Sequence, residues 1–169
     1  MQIVIEYQSG VFKVSESVGQ HLQTRHLGTF QKEHSKNYYI LDPLEVLYLI
    51  EKRSSIQCIG FKVSSRQQFL SKFKITMQEF LVFCDLQKKG YVVKQALKFG
   101  ATFRIYKKTN GKVETHASHL VFVCEQKKKI SPEELFSINR VAHSTKKHIL
   151  FAYVDYELSV SYLEQKRWS

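Results

Sequence analysis

Apolar and polar residues alternate from Gln2 to Tyr7 and again over Val11–Val14, with a Ser-Gly turn between, so the chain opens as two strands. The piece GQHLQTRHLGTF then suggests a short helix or turn ending near Gly28. At Asp42 the spacing becomes helical. Asp42 can cap, Pro43 suits the first helical position, and Glu45 can reach back as a capping box ahead of Leu44, Leu47 and Tyr48. Ser64 or Ser65 caps a second helix with Phe69, Leu70 and Phe73 inward. Thr76 and Glu79 open a third, MQEFLVFCDLQKK, whose inward stripe is Phe80, Leu81 and Cys84, with Phe83 beside them. Gly90 is its expected left-handed stop.

Beyond Gly90 the period is two. Tyr91, Val93 and Gln95 alternate with Val92 and Lys94, and Gly100 interrupts the run before ATFRIYKK. Asn110-Gly111 is a tight-turn signal. His119–Cys124 is nearly all apolar, as expected of a strand buried on both faces. Lys127–Lys129 forms a basic loop, and Ser131-Pro132-Glu133-Glu134 starts a helix with Leu135, Ile138 and Ala142 inward. His148–Val154 reads as a second buried strand, Ser159–Leu163 as a half-exposed one. Helices dominate before the helix at Gln78 and strands after it, so two halves are expected, 1–77 and 78–169, the second an α/β layer structure.

Composition narrows the partners. A chain of 169 residues with 43% hydrophobic and 24% charged residues can bury a real core as one domain or two small ones. No apolar run reaches the ~18 residues that cross a bilayer. The start, MQIVIEYQSG, has no basic or long apolar segment of a secretory signal, so no membrane role is expected. Cys58, Cys84 and Cys124 lie far apart in apolar surroundings and read as buried thiols of a reducing compartment. The formal charge of +11 favours a polyanionic partner, nucleic acid before a membrane surface. The half from Gln78 on holds 16 Lys/Arg against 9 Asp/Glu.

Several chemistries are unsupported by the motifs. There is no phosphate-binding glycine loop, no HExxH and no zinc-spaced Cys/His quartet. Asp155 and Glu157 alternate on one strand face without the third carboxylate and lysine of a metal-dependent nuclease. No cofactor is expected. What the residues do allow is RNA cleavage without metal. The 2′-hydroxyl must lose a proton, the leaving 5′-oxygen must gain one, and the extra charge on phosphorus must be held. Tyr106 could be the base, His116 the acid and Lys147 the electrostatic clamp. Taken singly, each has an ordinary reading: a packed tyrosine, a solvated histidine near a turn, a basic residue leading into a strand.

The three together occur in a recognisable frame. GYVVKQALKFGATFRIY resembles the GY-V-K-x-G-L-K-F/Y-G-A-D-F-R-x-Y block of the catalytic subunit of the tRNA-splicing endonuclease family, archaeal and eukaryotic, ending on its catalytic tyrosine at Tyr106. His116 follows ten residues on, before an apolar strand, as the family's histidine does. RVAHSTKKHILFA is similar to the family's R-V-A-x-S-V-R-K-x-L-x-x-A block, with its lysine at Lys147, and LDPLEVLYLIEKR to an upstream helix. The resemblance spans about residues 20–162.

It implies an α/β (α+β) subunit of two small domains. Residues 1–77 would hold helices with a small mixed sheet, and 78–169 a catalytic domain with a mixed β-sheet flanked by helices. It further implies cleavage of precursor tRNA at a bulge–helix–bulge, leaving 2′,3′-cyclic phosphate and 5′-hydroxyl ends. An unstacked bulge base would be pinched between two side chains supplied across the assembly, Arg140 and, in place of a second arginine, Tyr162. A cytoplasmic location is expected, nuclear in a eukaryote. Thr102 departs from the family aspartate and Lys146 from its arginine. The acidic loop that joins subunits in homotetrameric relatives is reduced to Asp155 and Glu157, which points to a second, non-identical subunit in a two-plus-two assembly. The alternative is a non-catalytic RNA-binding or structural subunit, against which the retention of Tyr106, His116 and Lys147 argues. A basic single-strand RNA binder using its many aromatics would not need their spacing.

Overall fold

The alternation at the start of the chain becomes the centre of a sheet. In the computed structural model, which describes residues 2–33, 36–52, 55–96, 100–109, 112–124 and 129–166, β1 (Ile3–Gln8) pairs antiparallel with β2 (Val11–Ser15). β4 (Lys36–Leu41) pairs with β2, and β3 (Thr29–Glu33) with β4. On the other side β5 (Ile56–Ile59) runs parallel to β1, giving the order β3-β4-β2-β1-β5. Helices α1 (Glu16–Gln23), α2 (Pro43–Lys52) and α3 (Arg66–Lys72) complete this unit, Met1–Thr76. The half expected to be mainly helical therefore holds five strands among its described residues. Every residue of β3 is exposed, so it carries no apolar alternation, and β5 is recruited by a strand more than fifty residues away.

Capping follows the sequence closely here. The Asp42 carboxylate accepts from Leu44 N at 2.9 Å, and Glu45 reaches back to accept from Asp42 N at 3.0 Å. Glu45 also accepts from Gly28 N at 3.1 Å, which explains why a carboxylate only 3% exposed is tolerated. Ser65, not Ser64, caps α3, accepting from Gln68 N at 3.2 Å. Phe69 stacks on Phe12 with centroids 6.0 Å apart, and Phe73 lies 5.2 Å from Phe12, so α3 is fastened by aromatic burial.

The second unit, Met77–Ser169, opens with α4 (Met77–Lys88), ended by Gly90 at φ 86°, the left-handed stop that glycine makes cheap. Its buried stripe is Phe80, Val82, Phe83 and Leu86; the expected Leu81 and Cys84 are half-buried, since the helix presents the next flank to the sheet. There follow β6 (Val92–Gln95), β7 (Phe103–Tyr106), the small β8 (Lys108–Thr109) and β9 (Lys112–Val113), β10 (His119–Cys124), α5 (Pro132–Thr145), β11 (His148–Val154) and β12 (Val160–Gln165). The order is β12-β11-β10-β7-β6, with only β10 and β11 parallel. That parallel pair requires a crossover, which α5 supplies. The Asn110-Gly111 turn and Lys127–Lys128 lie outside the described residues; β8 and β9 pair through Thr109 and Lys112 on either side of the turn.

Ile138 and Ala142 of α5 pack with Ile149, Phe151 and Cys124 on one face of the sheet. Phe83 of α4 meets Phe103 at 6.1 Å on the other. The sheet is thus covered on both faces, as the apolar runs of β10 and β11 require. Thr102, where the family has aspartate, braces β10 instead: its hydroxyl accepts from Val123 N at 3.2 Å. Cys124 is buried, whereas Cys58 and Cys84 are half-buried, and none of the three forms a disulfide among the described residues. No helix among the described residues is long and apolar enough to cross a membrane.

Candidate active site

The strand register decides where the candidate residues fall. Ile105 stands opposite His119 in the β7–β10 ladder, and His119 opposite His148 in the β10–β11 ladder. The row continues one residue earlier through Ser118, whose N donates to Ile105 O at 2.9 Å and whose carbonyl accepts from His148 N at 3.2 Å. Tyr106 follows Ile105, Lys147 precedes His148, and His116 lies two residues before Ser118 in the bend leading into β10. Tyr106 and Lys147 are thereby placed on either side of Ser118 at one end of the sheet, and His116 lies in the bend that leads to it. Tyr106 and Lys147 flank the start of β10, two strand spacings or ~10 Å apart.

Each residue is presented for contact. Tyr106 and Lys147 are half-buried and His116 is exposed. Lys147 is placed by an abrupt end to α5. Lys146 takes φ 54°, its N donates to His143 O at 3.3 Å, and Lys147 N donates to Ala142 O at 3.0 Å, the Schellman pair. The Lys147 ammonium donates to Thr145 O at 3.0 Å, so it rests against the negative end of α5. Arg104, not singled out from sequence, lies with its guanidinium carbon 5.9 Å from the centre of the Tyr106 ring, and its buried Nε has no hydrogen-bond partner among the described residues. A cation over a phenol ring adds positive field at the same end of the sheet.

At this end a polar chain runs from half-buried Ser118 through buried His119 to exposed Glu164, which no local pattern announces. His119 is 6% exposed; its Nδ1 meets Ser118 Oγ at 2.9 Å and its Nε2 meets Glu164 Oε1 at 3.1 Å. Burial pushes the imidazole below its ordinary value, more than the Glu164 carboxylate raises it, and Lys107 and His148 lower it further. The bond from His119 holds Glu164 below the usual carboxylate range, against slight burial. Both directions fit a neutral imidazole donating Nε2–H to a carboxylate, so the pair acts as a hydrogen bond joining β10 to β12. A histidine at the head of an apolar strand is the only sequence signal for it.

The proposed base-holding residues are not brought together. Arg140 is exposed on α5. Tyr162 stands opposite Ala152, next to Phe151 in β11, and its Oη donates to Asp85 of α4 at 2.7 Å. Alternation along the strand puts it on the sheet face away from α5. Burial, then the Asp85 carboxylate, push its hydroxyl well above the ordinary tyrosine value, and Lys89 lies 5.5 Å from its ring centre. Asp155 is likewise engaged: it accepts from Glu157 N at 2.9 Å and Ser159 N at 2.8 Å, folding the β11–β12 loop on itself. No group of three or more His, Cys, Asp or Glu converges among the described residues.

A mixed α+β unit presenting a tyrosine, a histidine and a lysine at one sheet end has the make-up of a nuclease domain. Residues 76–162 match the tRNA intron endonuclease, catalytic C-terminal domain. The chain is similar to the tRNA-splicing endonuclease of Pyrococcus furiosus, 31% identical over 166 residues covering 96% of this chain and 95% of that protein. It is 34% identical over 136 residues to that of Pyrococcus abyssi, covering 75% and 74%. With that of Saccharolobus solfataricus it shares 40% identity over 86 residues, 51% and 44% of the two chains. The chain belongs to the tRNA intron endonuclease family.

Proposed function

We propose that this chain cleaves precursor tRNA at the bulge–helix–bulge that marks an intron, leaving 2′,3′-cyclic phosphate and 5′-hydroxyl ends. Tyr106 takes the proton of the attacking 2′-hydroxyl, and its oxygen closes on phosphorus. His116 gives a proton to the departing 5′-oxygen, and the Lys147 ammonium neutralises the additional charge carried by the phosphoryl oxygens in between. Proton removal, proton delivery and charge stabilisation are all supplied by side chains, so no cofactor enters. The observation that supports this reading is the register that lines up Tyr106, the start of β10 and Lys147 at one sheet end. Arg140, exposed on the helix leading to Lys147, is assigned to hold an unstacked bulge base.

The reaction is tested on a bulge–helix–bulge RNA in excess EDTA. Cleavage persists, the products carry cyclic phosphate, and His116→Ala lowers the single-turnover rate by ~10²–10⁴-fold with RNA affinity little changed. EDTA-sensitive cutting that leaves 3′-hydroxyl ends would falsify the mechanism. Tight binding with no cutting in any assembly would identify a non-catalytic subunit.

A further inference from the structure

We infer that Phe136 is a second base-stacking platform, one helical turn from Arg140, for an unstacked nucleobase of the RNA substrate. The inference rests on the functional reading above and extends its binding surface. Phe136 is 69% exposed, an unusual position for a large apolar ring on a helix whose other flank buries Ile138 and Ala142. Among the described residues of this unit the other exposed large apolar side chains, Tyr153, Tyr156, Leu158 and Leu163, belong to β11, β12 and the loop between them. Phe136 stands apart from that strand edge, on α5.

Its neighbours indicate what it meets. Phe136, Arg140 and His143 follow at i, i+4 and i+7, all exposed, and so form one stripe along α5 toward Lys147. The rise from Phe136 to Arg140 is about 6 Å. That exceeds the 3.4 Å between stacked bases of a duplex and suits two consecutive bases that have come apart. Glu133, exposed about one turn before Phe136, is unfavourable to a phosphate at that end of the stripe. The contact is therefore with the flat face of a base, which an aromatic ring binds without regard to charge, while Arg140 serves a base or the backbone beside it.

The ring is 69% exposed, so its removal should cost the fold little. Alanine at an exposed helix position favours the helix more than phenylalanine does. Bulge–helix–bulge RNA carrying 2-aminopurine in the bulge is titrated with the full chain, in its active assembly, as wild type, Phe136→Ala and Phe136→Trp. Phe136→Ala weakens binding about 5- to 10-fold, in the range of a lost base–aromatic stack, and abolishes part of the 2-aminopurine quenching. Phe136→Trp restores both. Equal affinity and quenching in wild type and Phe136→Ala overturn the inference while leaving cleavage by Tyr106, His116 and Lys147 untouched. A change in sedimentation with unchanged affinity per site also overturns it, since Phe136 would then be a protein contact. Conversely, stacking by Phe136 on RNA that is never cut would keep the inference and sink the catalytic reading.

Discussion

His119 shows how much a single buried titratable group can contribute at this sheet end. In its neutral form it accepts from Ser118 Oγ and donates to Glu164, and both bonds hold the start of β10, three residues after His116. Its folded pKa lies below its ordinary 6.5, so on acidification the unfolded chain takes up the proton first and stability falls. Glu164 adds a loss of the same sign below its ordinary 4.5. His119→Phe should therefore flatten the decline in denaturant stability between pH 7 and 5 relative to wild type. A parallel decline in both proteins would show that His119 does not titrate as its burial requires. Tyr106 and Lys147 stand out in the sequence because each sits in a patterned block, and His116 because it follows Tyr106 by ten residues. The His119–Glu164 bond joins residues 45 positions apart and has no such pattern.

Among elements, α5 repays the closest reading. Its N-terminus follows local rules: Ser131 accepts from Glu134 N at 3.2 Å, and Pro132 occupies the first turn. Its C-terminus does not, because a lysine at φ 54° holds the place where glycine would be unstrained. Lys146→Gly should stabilise the protein by about 1 kcal/mol, measurable as a Tm rise of roughly 2–4 °C. A lowered Tm would mean that the Lys146 side chain compensates for its backbone. The helices and the strands of the second unit are legible because caps and apolar periods are local. β3 and β5 were not, since exposed or short strands exist only by pairing with partners distant in the chain.

At the scale of the whole molecule, the β11–β12 loop bears on assembly. The loop offers two exposed carboxylates, Asp155 and Glu157, and Asp155 already accepts from Glu157 N and Ser159 N through Oδ1. An exposed ion pair contributes only ~0–1 kcal/mol, too little to hold a tetramer through a basic cleft. β12 is an edge strand with Leu163 59% exposed, the character of a surface that pairs with another chain. We propose that the chain works with a second, non-identical subunit whose loop is more acidic, two copies of each. Alone it should sediment as a dimer at most and cut poorly, and the partner should restore cutting. A fully active homotetramer would refute this.

What the sequence determined by itself is whatever depends on neighbours along the chain: the capped helices, the apolar strands of the second sheet, the net charge and the blocks around Tyr106 and Lys147. The tertiary structure alone decided which of these meet. Register between β7, β10 and β11 brings Tyr106 and Lys147 to one end of a sheet, and the same alternation sends Tyr162 to the face opposite Arg140. Pairing of strands and burial of faces are cooperative properties of the whole chain, in which a shift of one residue reverses every side chain, so no local pattern can state them.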